Sequence, residues 1–328
     1  MGKTGLIAGM IVLALSTALP ARSLPRSGAP VHVRERDEVA SRPRSKLGSP
    51  PRPDGYFHLR GPAAWSSLPS DRTCAGRVHR STWEPRPDNR LQNHTVPRAR
   101  AVARSFSRRP RRTGRGTYAK RWDRWLLPRV DGAFTGTTDE IFQWAACKWG
   151  LSDNLLRGIA VRESTWYQYL TRPDNTCVEY RGCGDFFTRA TRSSKTYCKG
   201  LVKAGGHDYE PQFGGPGLCP KTFSIAGVMS WDDPAWQAPA PAWPGNQNGT
   251  FPFDRNSTAF AVDYLGSYLR GCYEGWITWL HPHAGDMRGC VGSWYSGDWH
   301  SSAADGYVRR VKNTIRNHTW LRPAFAHA

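Results

Sequence analysis

The stretch "LSDNLLRGIAVRESTW" (151–166) decides the fold. Leu155, Leu156 and Ile159 share one helical face, and Ser152 or Asp153 supplies a cap in front of them. The next position on that face is Glu163, four residues after Ile159 and seven after Leu156. A carboxylate there is either a helix end returning to water, paired with Arg162 or Arg157, or a group held in a partly dry cleft. Periodicity alone leaves both readings open.

Helical texture surrounds this stretch. "TTDEIFQWAACKWG" (137–150) offers a capping box, Thr137 with Glu140, and a stop at Gly150. "STAFAVDYLGSYLRGCY" (257–273) places Ala261, Tyr264, Leu265, Tyr268, Leu269 and Cys272 on one stripe. "GDMRGCVGSWYSG" (285–297) and "SAADGYVRRVKNTIRN" (302–317) repeat the spacing. Alternation of period two is scarce. The expectation is a mostly helical domain over 131–322, interrupted by a polar, Cys-rich insertion at 167–222.

The N-terminal part differs. "MGKTGLIAGMIVLALSTALPARS" (1–23) has a Lys, an apolar run and small residues, the pattern of a secretory signal peptide cleaved after Ala18 or Ala21. Residues 23–130 carry 25 Lys/Arg against 8 Asp/Glu, while residues 131–328 carry 19 against 18. The net charge of +20 therefore belongs to the N-terminal part. Residues 23–67 read as a basic, Pro/Arg-rich disordered segment, 68–97 as an ordered strap, and 98–130 as a basic linker. In an exported chain, Arg-rich segments suit anionic wall polymers rather than nucleic acid, and a solvated linker spanning the wall stays open as the other reading. After signal cleavage no membrane span is expected.

The eight cysteines suit disulfides in an exported chain. Short loops favour Cys177–Cys183, Cys198–Cys219 and Cys272–Cys290, which leaves Cys74 for Cys147. No HExxH stretch or tight CxxC pair argues for zinc, so neither a metal nor a cofactor is expected.

Residues 137–316 resemble the soluble lytic transglycosylase domain, which shares the goose-type lysozyme fold. The resemblance rests on "RESTW" (162–166), "SIAGVMSW" (224–231), "NSTAFAVDYLGSYL" (256–269), "WYSG" (294–297) and "YVRRV" (307–311), and on their order. "WEPRPDN" (83–89) and the Trp-rich style also resemble secreted actinobacterial cell-wall proteins that carry this domain. The resemblance implies a lysozyme-like fold and cleavage of the MurNAc–GlcNAc β-1,4 bond of peptidoglycan glycan strands. It implies Glu163 as the one catalytic acid and base, leaving 1,6-anhydroMurNAc ends. A free Glu titrates at about 4.3, so this role needs burial to raise it.

By the same resemblance Ser164, Gly227, Met229, Ser230, Trp231, Tyr295, Ser296 and Tyr307 contact the substrate or line the cleft. Ser230 stands where the family has Gln, and Ser296 where it has Asn. The 64 positions from Glu163 to Gly227 exceed the usual family spacing. Two other readings stay open: a hydrolytic muramidase using Asp185, Asp232 or Asp233 to position water, and a non-catalytic wall-binding protein on the same fold.

Overall fold

The computed structural model describes residues 48–108, 121–230, 248–277 and 280–326. In chain order its helices are α1 (Asp71–Ala75), α2 (Arg90–Asn93), α3 (Ala99–Arg108), α4 (Thr138–Trp149), α5 (Asp153–Ser164), α6 (Arg192–Gly205), α7 (Phe253–Asn256), α8 (Thr258–Tyr273), α9 (Met287–Ser296), α10 (Ser302–Arg316) and α11 (Pro323–Ala326). Strands β1 (Cys183–Phe186), β2 (Pro220–Phe223) and β3 (Val228–Met229) form one antiparallel sheet in that order. The expected signal peptide, residues 23–47 and Trp231, Asp232 and Asp233 lie outside the described residues.

Local signals start and stop α4 as the sequence predicts. Thr137 and Glu140 form the reciprocal capping box of α4, and Gly150 ends it in the left-handed conformation. Ser152 precedes α5 but makes no side-chain cap. Asp153 instead turns inward to accept from Arg157 Nη1 at 2.8 Å and from the Tyr56 amide at 2.9 Å.

α8 is buried on every side, not along one stripe. It is the central helix, flanked by α4, α7 and α9. Such a helix has no solvent face, so its polar residues need internal partners. Asp263 finds them in Lys148 Nζ at 2.9 Å and Trp149 Nε1 at 2.7 Å. Lys148 is itself fully buried and also pairs with Asp131 at 3.1 Å and Asp71 at 2.5 Å. Gly266 belongs on this helix because a Cβ there would collide with the Trp149 indole.

Residues 48–108 and 121–130 are ordered, which their charge does not suggest. From residue 48 onward the chain packs on the helical body: the Tyr56 amide donates to Asp153 Oδ2 at 2.9 Å, and the Arg60 amide donates to Gly150 O at 2.9 Å. The stretch 98–130, expected as a linker, supplies α3 and a turn over 122–129 in which Trp122, Leu126 and Leu127 are buried. A few apolar residues among many arginines suffice once α8 offers a surface for them. Composition averages hide them.

Four disulfides staple the chain: Cys74–Cys147, Cys177–Cys183, Cys198–Cys219 and Cys272–Cys290. Three are the pairs that short loops favour; the fourth, Cys74–Cys147, is the pair left over and ties the strap to α4. The insertion builds a small core of its own from Cys177, Tyr197, Leu201, Tyr209, Cys219 and Phe223.

Candidate active site

The site begins where α5 ends. Thr165 and Trp166 follow Glu163 with φ of 56° and 67°, two successive left-handed residues that are not glycine. Such a conformation costs on the order of 1–3 kcal/mol per residue, so its surroundings must enforce it. Trp166 is fully buried against Phe142, Phe325 and Trp83, and its Nε1 donates to Arg157 O at 3.0 Å. The strap completes the lock. Arg86 Nε donates to Thr165 O at 2.8 Å, Asn89 Nδ2 to Trp166 O at 2.7 Å, and Asn89 Oδ1 accepts from the Gln168 amide at 2.8 Å.

This turn aims Glu163 at two groups from distant elements. Tyr307 on α10 donates its hydroxyl to Glu163 Oε1. Gly227, with φ of 63°, lies so close to Oε2 that a Cβ would collide with it. Glu163 as a residue is only half-buried, which leaves it reachable from solvent, yet protein crowds its carboxyl. That desolvation pushes its pKa up from 4.5 to about 7. The Tyr307 hydroxyl and the charges of Arg162 and Arg310 oppose the rise, and the Asp185 carboxylate adds to it. Arg157 is not a partner of Glu163, since Asp139 and Asp153 each hold it at 2.8 Å.

The turn carrying Gly227 joins β2 to β3 and is fixed from three sides. Ser164 Oγ donates to Ile225 O at 3.2 Å, Trp294 Nε1 to Ala226 O at 3.0 Å, and the Ile225 amide to Gln168 Oε1 at 3.2 Å. The long insertion therefore returns the chain to the helix end, and Gly227 sits against Glu163 despite their separation. Ser164 acts here as a structural tie.

Tyr295 on α9 stacks on Tyr307 with centroids 4.7 Å apart and planes 5° apart. Tyr295 is 53% exposed and Tyr307 is 2% exposed, so one ring presents a face outward while the other supports it. The Arg310 guanidinium lies over both rings, at 5.5 Å and 5.8 Å.

Other expected residues lie apart from this cluster or beside it. Ser230 is fully buried just after β3 and donates to Asp254 Oδ2 of α7 at 3.2 Å. Ser296 donates to Gly292 O and Asp298 O, both at 3.1 Å, closing the end of α9. Met229 is half-buried on β3, and its carbonyl accepts from Asn248 Nδ2 at 2.8 Å.

Arg310, Trp294, Arg86 and Asn89 lie inside "YVRRV", "WYSG" and "WEPRPDN", yet the sequence assigns none of them a role, although Arg310 stands three residues after Tyr307, where helical side chains meet. Among the described residues no cluster of His, Cys, Asp and Glu is arranged to hold a metal, and no helix is long and apolar enough to cross a membrane. Comparison with protein-family models, curated proteins and solved structures finds no match to this chain.

Proposed function

We propose that this chain is a secreted lytic transglycosylase on a lysozyme-like helical scaffold, cleaving the MurNAc–GlcNAc β-1,4 bond of peptidoglycan. One observation carries the reading. Glu163, with its pKa raised to about 7, is reachable from solvent yet held between the Tyr307 hydroxyl and the Gly227 backbone. A carboxylic acid that keeps its proton near neutral pH is what a glycosidic leaving group requires.

Protonated Glu163 gives its proton to the glycosidic oxygen as the C1–O bond breaks. The substrate's own N-acetyl oxygen closes on C1. The Glu163 carboxylate then takes the proton of the 6-hydroxyl, whose oxygen displaces the acetamido oxygen at C1. An anhydro ring forms, Glu163 is again protonated, and no water is consumed. Tyr307 holds Oε1 in place throughout. The outward face of Tyr295 suits the C–H face of a sugar ring.

Four disulfides agree with export, and the leader-like sequence of residues 1–22 adds to that reading.

A second reading has one observation in its favour. The Asp185 carboxylate acts electrostatically on Glu163, and a second carboxylate suits a hydrolase that positions water. Mass spectrometry of products from purified peptidoglycan separates the two readings. Anhydromuramyl ends from the parent and none from Glu163→Gln support transglycosylation. Reducing ends support hydrolysis through Asp185. No product from the parent leaves a wall-binding protein.

A further inference from the structure

α3 has two faces of opposite character. Val102 is 2% exposed, Phe106 stacks on Phe260 of α8 with centroids 6.1 Å apart, and Ser105 Oγ donates to Gly249 O at 2.6 Å. These contacts fix the helix by its inner face. The outer face carries Arg100 and Arg104, one turn apart, with Arg98 just before the helix, and all three are exposed. Arg100 and Arg104 stand about 6 Å apart along the axis. Among the described residues no acid pairs with any of the three. The local sequence offers little compensation, since residues 98–124 hold eleven Lys/Arg and one acid, Asp123.

An ordinary solvated helix face mixes both signs of charge and pairs them at i,i+4. This face has one sign and is anchored in a fixed conformation, so its cations are positioned before any partner arrives. Preorganisation of this kind lowers the entropic cost of binding. Arginine also forks onto phosphate oxygens.

We infer that the outer face of α3, led by Arg98, Arg100 and Arg104, is a docking surface for a linear phosphodiester polyanion of the cell wall. The groups that surround Glu163 include none of the three arginines. Its choice of a wall polymer over nucleic acid or lipid rests on the proposed export of the chain, because a secreted protein meets wall phosphates first.

The test uses the mature chain and poly(glycerol phosphate) of defined length, titrated at several salt concentrations. Two variants carry the same charge change: Arg100→Glu with Arg104→Glu on α3, and Lys312→Glu with Arg316→Glu on the exposed side of α10. Arg100→Gln with Arg104→Gln repeats the α3 change without reversing charge, and circular dichroism checks the fold of each.

The parent is expected to bind, more weakly as salt rises. The α3 reversal is expected to cost about tenfold or more and to flatten the salt dependence by about two phosphate contacts. The α10 reversal is expected to leave affinity within about twofold, since it moves net charge but not the site. Equal loss in both reversals overturns the inference, because net charge alone then explains binding. Absence of binding by the parent overturns it too. So does tighter binding to duplex DNA or to anionic vesicles at matched phosphate concentration, which assigns the face to a different partner. Cleavage of soluble glycan fragments, measured in parallel, reads Glu163 separately and is expected to be unchanged by either reversal.

Discussion

Tyr307 donates a hydrogen bond to Glu163 across 144 positions of sequence, joining the first turns of α10 to the last turn of α5. Burial raises the Glu163 pKa, and this hydroxyl favours the charged form and holds the rise in check. The balance of the two sets the pH range in which Glu163 can act as an acid.

Replacing Tyr307 by Phe removes the group that favours the charge. Glu163 then stays protonated to higher pH. The alkaline limb of kcat/KM, expected near pH 7 in the parent, is expected to move upward in Tyr307→Phe. A pH–rate profile on soluble glycan fragments measures it. A limb that moves downward contradicts the role given to the hydroxyl.

Glu163→Gln removes both the proton donor and a costly buried charge. Cleavage is expected to fall by at least about 100-fold, the lower range for loss of a general acid. Stability follows a second, independent course. In the unfolded chain Glu163 ionises near 4.5, and in the fold at about 7. The native state thus binds the extra proton between those values, and the parent loses stability as pH rises through that window. The thermal midpoint of Glu163→Gln relative to the parent is expected to rise from pH 4.5 to 7 and then level off. A difference that is flat across pH means Glu163 is not desolvated in the fold.

Gly227→Ala tests the close approach. The backbone there has φ of 63°, and the added methyl would meet Glu163 Oε2. Strain alone is worth on the order of 1–3 kcal/mol. The expected outcome is a loss of stability of that order, together with a fall in kcat larger than any change in KM, because the carboxyl is displaced. Chemical denaturation and steady-state kinetics measure the two effects.

Asn89→Ala tests the strap. Asn89 bonds Thr138 Oγ1 at 3.1 Å, Trp166 O at 2.7 Å and the Gln168 amide at 2.8 Å. Its loss leaves buried backbone groups unpaired at about 1–3 kcal/mol. The left-handed turn after Glu163 is expected to loosen, lowering both the unfolding midpoint and kcat. Unchanged kinetics with lowered stability restricts the strap to a supporting role.

Much of the fold was legible in the sequence because its signals are local. The capping box at Thr137, the stop at Gly150 and the apolar periodicity of α5, α9 and α10 depend on residues within a turn or two. Three of the disulfides followed from short loops, and Cys74–Cys147 from what remained. Residues 48–67, 98–108 and 121–130 are ordered against expectation, for a physical reason. Disorder is inferred from average charge and hydropathy, whereas ordering here depends on Val102, Phe106, Trp122 and Leu126 finding surfaces on other elements.

The site divides along the same line. Sequence by itself determined that a carboxylate falls on the apolar side of α5, since helical spacing fixes which residues share a face. Only the tertiary structure decided what surrounds it: the Tyr307 hydroxyl, the Gly227 backbone brought back by the insertion, the Arg310 charge and the strap that holds Thr165 and Trp166 in a strained turn. Desolvation and charge proximity depend on distances between groups far apart in the chain, and no local pattern encodes them. Ser230 shows the converse, for its place in the motif order suggested a cleft residue, and packing turned it inward to Asp254.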